Sequence, residues 1–259
     1  GTVIGIERAI ALNHRAAYLA PALTAAGGLV LLFGLSWLWG GRLLLLGSAG
    51  LVVLFAIIVR QHPAIYTVTM AAGALCWLIG NALQVAGRPL YLVAPWWVAF
   101  LVLTIAGERL ELSRVLRLSR RVINLFVVAA AVFLAGVVAS VWAYDTGARI
   151  AGLGLVALAA WLMRYDLARR NVHRQGLTRF IAVCLFSGYI WLAVGGLLWL
   201  VYGGVMAGPL YDAILHSIFL GFVFAMIFGH APLIFPAVLG RPMAWLPASY
   251  APLVVLHAS

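Results

Sequence analysis

The sequence predicts an all-α fold, a polytopic transmembrane helix bundle of about eight full helices plus a truncated ninth. Of the 259 residues, 66% are hydrophobic and only 9% are charged, whereas soluble domains have about 45–50% apolar and about 25% charged residues. The apolar runs are also long and unbroken, as in membrane helices of about 20 residues, and lack the alternation of barrel strands. This composition excludes a soluble enzyme, a nucleic-acid-binding module and a disordered chain.

The apolar segments follow one another with short connections. We expect residues 1–259 to form a single integral membrane domain, and, because both ends fall within helical sequence, to be part of a longer polytopic protein. The segments lie at 16–39, 43–60, 64–86, 90–107, 122–143, 149–163, 178–203 and 210–239, and a ninth begins near 248.

Positive charge is divided unequally between the two sides that this segmentation defines. All 17 basic residues are arginine, and the net charge is +11. Alternating helices leave only Arg42, Arg88 and Arg149 on one side and the other fourteen arginines on the opposite side. The positive-inside rule makes the arginine-rich side cytoplasmic. We therefore expect the loops 108–121 and 164–179 to be cytoplasmic, and we interpret the charge as setting orientation rather than binding nucleic acid.

Carboxylates are scarce in the predicted membrane segments. Asp145 lies at the outer end of the fifth segment and Asp212 at the outer start of the eighth. Because ionisable groups inside a bilayer usually mark ion or proton pathways, the shortage of buried carboxylates weakens the case for a proton-coupled carrier.

Histidines are concentrated in the last two predicted helices. His216 and His230 are 14 residues apart, which places them within about 40° of one α-helical face and about 21 Å apart along it. His230 and His257 lie at similar distances from the turn near 239–247, so antiparallel helices would bring them to similar depth. Two facing imidazoles suit a bis-histidine haem or a copper site, to which Met226 would add a thioether. The simpler alternative is that each histidine makes a hydrogen bond between helices.

Two prolines interrupt the helix that carries His230. Pro232 and Pro236 remove backbone donors from the helical ladder. The interruption is compatible with a kink that opens a cofactor pocket and equally with a re-entrant end to a long helix. The sequence leaves both interpretations open.

Motifs in the C-terminal third resemble those of the NnrS family. The segment 188–198, which reads Gly-Tyr-Ile-Trp-Leu-Ala-Val-Gly-Gly-Leu-Leu, is similar to a glycine-tyrosine-x-tryptophan-leucine helix of that family. The sequence from His216 through Gly221 to the turn Gly240-Arg241-Pro242 is similar to the family's histidine helix. The segment 250–256 would then begin the final family helix. His216 matches the family's helix histidine by position, whereas His230 and His257 have no assigned counterpart.

The resemblance implies a cofactor, a cellular location and a physiological role. NnrS proteins are bacterial membrane proteins of about twelve helices that contain haem and copper and are linked to nitric-oxide stress and denitrification. By this resemblance the chain is the C-terminal two-thirds of such a protein, a multi-pass protein of the bacterial cytoplasmic (inner) membrane. Its expected cofactor is haem b, copper or both, with His216, His230 and His257 as the candidate ligands.

Three functions follow from these observations. The first is a haem- or copper-binding membrane protein with a protective or redox role around nitric oxide. The second is a transporter or channel without a metal cofactor, in which the eighth helix gates a path. The third is a structural subunit without chemistry of its own. The expected partners are the lipid bilayer and a small molecule such as nitric oxide, and no nucleic acid.

Overall fold

The computed structural model describes residues 1–240 and 246–258, and no β-strand occurs in this part of the chain. Within it, eight helical segments are long and apolar enough to cross a membrane. This confirms the predicted all-α class and the number of full helices. The α-helices are α1 Thr2–Leu12, α2 Leu19–Leu32, α3 Trp37–Gln61, α4 Ile65–Val85, α5 Leu90–Leu112, α6 Arg120–Ala139, α7 Tyr144–Tyr165, α8 Ala168–Asn171, α9 Gly176–Tyr202, α10 Pro209–His216, α11 Ala225–Leu239 and α12 Tyr250–Ala258.

The first boundary between membrane helices differs from the one that hydropathy predicts. The predicted segment 16–39 contains both the end of α2 and the start of α3. The turn between them lies in apolar sequence, where Gly34 adopts φ +63°, a left-handed conformation that glycine accepts without steric cost. The Ser36 hydroxyl then caps α3 by accepting from the Trp39 N–H at 3.2 Å. A turn made by such local chemistry carries no hydropathy signal.

The chain forms two compact units, Gly1–Glu108 and Arg109–Ser259. The core of the first unit contains residues from each of the helices α1 to α5. It contains Phe55, Met70 and a stacked pair, Trp77 and Phe100, whose ring centroids are 4.7 Å apart. The expectation of a single membrane domain stays a prediction beside this division.

Helices of the second unit approach one another closely through small residues. A Cβ at Gly152 of α7 would lie 2.5 Å from the carbonyl oxygen of Gly196 in α9, so only glycine fits there. On the other side of α7, Gly154 leaves similarly little space beside Phe133 of α6. Close packing of this kind is the usual source of helix association in lipid, where hydrophobic burial gives little driving force.

A π-helical segment, Ser217–Phe224, joins α10 to α11. Helix α11 then continues to Leu239 with Pro232 and Pro236 inside it. The prolines therefore do not end the helix at the position where the sequence left a re-entrant end open. The predicted closing turn at Arg241-Pro242 lies outside the described residues.

Candidate functional site

A buried ion pair joins the end of α5 to the end of α7. The Arg109 Nε donates to Asp166 Oδ2 and Nη2 donates to Oδ1, each at 2.8 Å. The two side chains are 6% and 0% exposed. Such a bidentate fork is the strongest arrangement for an arginine and a carboxylate. It offsets much of the desolvation that burying two charges costs.

The backbone around Asp166 explains how a carboxylate reaches this buried position. Helix α7 ends at Tyr165, and Asp166 adopts an extended conformation immediately after it. Its Oδ1 also accepts from the Ala168 N–H at 2.6 Å, at the start of the short helix α8. The carboxylate thus binds both a guanidinium and a free helix N–H, which fixes its orientation.

Tyr189 of α9 lies beside this ion pair. Its side chain is fully buried, and its hydroxyl interacts with both Arg109 and Asp166, through charge and through side-chain hydrogen bonding. The hydroxyl therefore belongs to the same polar network as the ion pair and helps to compensate its burial.

His230 of α11 supplies a free polar atom near the pair. Its Nδ1 donates to the Met226 carbonyl at 2.7 Å, since a carbonyl oxygen can only accept. The remaining ring nitrogen, Nε2, is buried and has no partner among the described residues. The imidazole also interacts electrostatically with Arg109 and Asp166. Arg109, Asp166, Tyr189 and His230 are called the buried polar cluster below.

His257 has the opposite arrangement of its ring nitrogens. Its Nδ1 accepts from the Trp191 Nε1–H at 2.9 Å, and the two rings stack with centroids 6.1 Å apart. Because Nδ1 carries the accepting lone pair, the proton of the neutral ring is on Nε2. His257 therefore presents a donor, whereas His230 presents an acceptor.

The two histidines also lie at different levels of α9. Trp191, the partner of His257, packs against Gly221, where a Cβ would collide with the indole. His230 is nine residues beyond Gly221, or about 13 Å along the helix. The sequence predicted similar depth because the two histidines are similar numbers of residues from the turn near 239–247. That count did not include the packing of α12 against α9.

His216 is exposed at the end of α10, whereas His230 is half-buried and its Nε2 is buried. The π-helical segment lies between them, and its wider turns change the rotation that a uniform α-helix would give. In residues 1–240 and 246–258 no three histidine, cysteine, aspartate or glutamate side chains come together as a metal-binding group. The three predicted histidines are thus not gathered at one point.

Comparison with known proteins gives one match. A family model described as Domain of unknown function (DUF8744) matches residues 1–259. The chain belongs to this family. No curated protein and no solved structure matches it significantly. The family description does not name a function, so the NnrS resemblance of this DUF8744 chain stays a prediction.

Sequence reasoning missed three members of the cluster in this DUF8744 protein. Asp166 stood within an arginine-rich loop, Arg109 at the end of an apolar run, and Tyr189 within a motif noted only for its resemblance. One signal was present: Asp166 is the single acidic residue of the loop 164–179, which contains five arginines. An isolated carboxylate among arginines is a candidate for a specific buried pair.

Proposed function

We propose that this protein is a multi-pass membrane protein that binds haem or copper through His230 in its second unit. The NnrS resemblance supplies the expected role, in nitric-oxide stress or denitrification. The observation that carries the proposal is the His230 imidazole, with one nitrogen bound to a backbone carbonyl and the other buried without a partner among the described residues.

The geometry of His230 is suited to a metal ligand. Histidines that bind metals usually donate their second ring nitrogen to a carbonyl or carboxylate, which fixes the tautomer and the direction of the free lone pair. The Met226 carbonyl has this role here, at 2.7 Å. A nitrogen lone pair kept from water inside a membrane protein has a high cost unless a ligand occupies it.

The other two candidate histidines fit the cofactor less well. The Nε2 of His257 also lacks a partner among the described residues, but it carries the proton because Nδ1 accepts from Trp191, so it has no lone pair for a metal. His216 is exposed on the second unit. We therefore assign His230 as the principal ligand. His216 is proposed as a ligand only because of the NnrS resemblance.

The rest of the buried polar cluster would set the surroundings of the cofactor. Arg109 and Asp166 neutralise each other and fix the ends of α5 and α7 beside the site. The Tyr189 hydroxyl interacts with both charged groups in the same region. Haem iron or copper, when bound, supplies a centre that binds nitric oxide or exchanges an electron.

The proposal is tested by an absorption spectrum and metal analysis of the purified protein. We expect a Soret band for haem, or copper in a stoichiometric ratio. A colourless preparation without metal, from cells supplied with iron, copper and a haem precursor, would contradict cofactor binding.

A transporter or channel is the second candidate, and the buried ion pair favours it. Ionisable groups inside membrane proteins usually mark substrate or proton paths, and Arg109 and Asp166 lie beside Tyr189 and beside the unpartnered Nε2 of His230. The test is solute or proton flux in proteoliposomes. Flux through the wild type that is lost in Asp166→Asn, together with absence of a cofactor, would favour transport.

We infer that the loops 108–121 and 164–179 face the cytoplasm, because fourteen of 17 arginines lie on their side of the predicted segmentation. Both native cysteines, Cys76 and Cys184, are buried, so an introduced thiol can be labelled selectively. An impermeant maleimide added to intact cells should label Met206→Cys, after α9, but not Gln175→Cys, before it. The reverse pattern would contradict this orientation.

A further inference from the structure

A surface cavity of about 480 Å³ lies between the α7–α9 connection and one face of α9. This volume is within the range of about 300–1,000 Å³ that small-molecule sites have, and is far larger than an ion or a water molecule needs. Its lining residues are Arg169, Val172, His173, Val183, Phe186, Ser187 and Ile190. It does not include the members of the buried polar cluster.

The lining is polar at one end and apolar along the rest. Arg169 and His173 lie in the connection before α9, and both are exposed. The Arg169 guanidinium donates one hydrogen bond, from Nη1 to the Arg164 carbonyl at 3.4 Å. Because a guanidinium has five N–H donors, most of its donors are available to an anion.

The apolar wall belongs to the surface of α9 at the edge of the membrane. Arg179 is exposed on the first turns of this helix, whereas Ile190 is 55% exposed farther along it. Eleven residues separate them, or about 16 Å of helix. Helix α9 has 27 residues, about 40 Å, which exceeds the hydrocarbon thickness of about 30 Å. The cavity therefore lies where α9 passes from polar surroundings into lipid.

We propose that this cavity binds one anionic phospholipid. Its phosphate is held by Arg169 and His173, and an acyl chain follows Val183, Phe186 and Ile190. The occupant is argued from charge and position: a fixed cation at the rim matches a phosphate, and the apolar wall opens to lipid. The proposal is independent of the cofactor at His230.

Native mass spectrometry of the detergent-solubilised protein tests the proposal, with phosphatidylglycerol and phosphatidylcholine as probes. We expect the wild type to retain phosphatidylglycerol at least fivefold better. Arg169→Gln should remove this preference, and the matched control Arg174→Gln, an exposed arginine of the same connection outside the lining, should keep it. Ser187→Trp, which fills the cavity, should reduce binding of both lipids.

Three results would overturn the proposal: equal retention of the two lipids by the wild type, an Arg169→Gln variant with unchanged preference, or equal loss in Arg174→Gln. Competition with inorganic phosphate is the last experiment. If millimolar phosphate alone displaces phosphatidylglycerol, the cavity is a site for free phosphate and the lipid assignment is wrong. Gel filtration of each variant checks that it is folded.

Discussion

The second unit contains two arginine–aspartate pairs with similar hydrogen-bond forks and opposite surroundings. Arg109 and Asp166 are joined by two bonds of 2.8 Å and are almost fully buried. Arg149 and Asp145 are joined at 2.9 and 3.3 Å, with side chains 42% and 60% exposed. Similar pairing geometry therefore occurs once in a dry interior and once at the surface.

The neighbours of the two pairs show what each does. Arg149 also donates to the carbonyls of Leu200 and Val201, and Asp145 accepts from the Gly204 N–H, so this pair caps the end of α9. The buried pair instead interacts with the Tyr189 hydroxyl and lies beside His230, whose Nε2 has no partner among the described residues. Surroundings, rather than pairing geometry, distinguish a helix cap from a candidate site.

The largest expected effect is the loss of the buried carboxylate. Asp166→Ala leaves the Arg109 guanidinium buried without a counter-ion, which typically costs about 3–5 kcal/mol. We expect a strong fall in the thermal unfolding temperature in detergent, or a failure to accumulate. The double variant Arg109→Met with Asp166→Leu removes both charges and should recover most of the loss. A single variant as stable as the wild type would show that the pair is not buried in the membrane protein.

A smaller effect of the same sign is expected at Tyr189. Because its buried hydroxyl interacts with both Arg109 and Asp166, Tyr189→Phe should lower the free energy of unfolding by about 1.5–3 kcal/mol. The control is Tyr202→Phe, at a tyrosine that is 51% exposed, which should change the stability little. An unchanged or raised free energy of unfolding in Tyr189→Phe would show that the hydroxyl does not support the ion pair.

The contact between His257 and Trp191 should hold α12 against α9. His257→Phe removes the nitrogen that accepts from the Trp191 Nε1–H at 2.9 Å, which should cost about 1 kcal/mol. Hydrogen-exchange protection of residues 250–258 should therefore fall in His257→Phe. The control His257→Gln retains an acceptor for Trp191 and should keep most of the protection; equal protection in His257→Phe and the wild type would show that this hydrogen bond does not hold α12.

The smallest effect is expected for the exposed pair. Asp145→Asn retains an acceptor for Gly204, and its charge is in contact with solvent, where ion pairs contribute little. We expect no measurable change in the unfolding temperature. A loss as large as that of Asp166→Ala would remove the distinction between the two pairs.

The fold could be predicted from composition because lipid demands long apolar helices, and that demand is visible in any window of sequence. The turn at Gly34 could not, since it depends on a backbone conformation and a serine cap within an apolar stretch. Hydropathy therefore located the helices better than the boundaries between them.

The site could be predicted only in part. His230 was identified because a polar residue in an apolar helix is conspicuous, but its tautomer depends on the Met226 carbonyl. His257 was identified for the same reason, and its partner Trp191 is 66 residues away. Asp166 was missed because sequence alone does not distinguish a carboxylate in a loop from one that the loop folds inward. Long-range pairing decides these roles.

The most direct test of the central claim compares the cofactor content of three single variants. Haem and copper per protein should fall to background in His230→Ala, which removes the Nε2 lone pair. They should stay at the wild-type level in His257→Ala, because the Nδ1 of His257 accepts from Trp191 and its Nε2 carries the proton. His173→Ala, in an exposed connection, controls for the loss of any histidine. Cofactor retained in His230→Ala, or lost equally in His257→Ala, would contradict the assignment of His230.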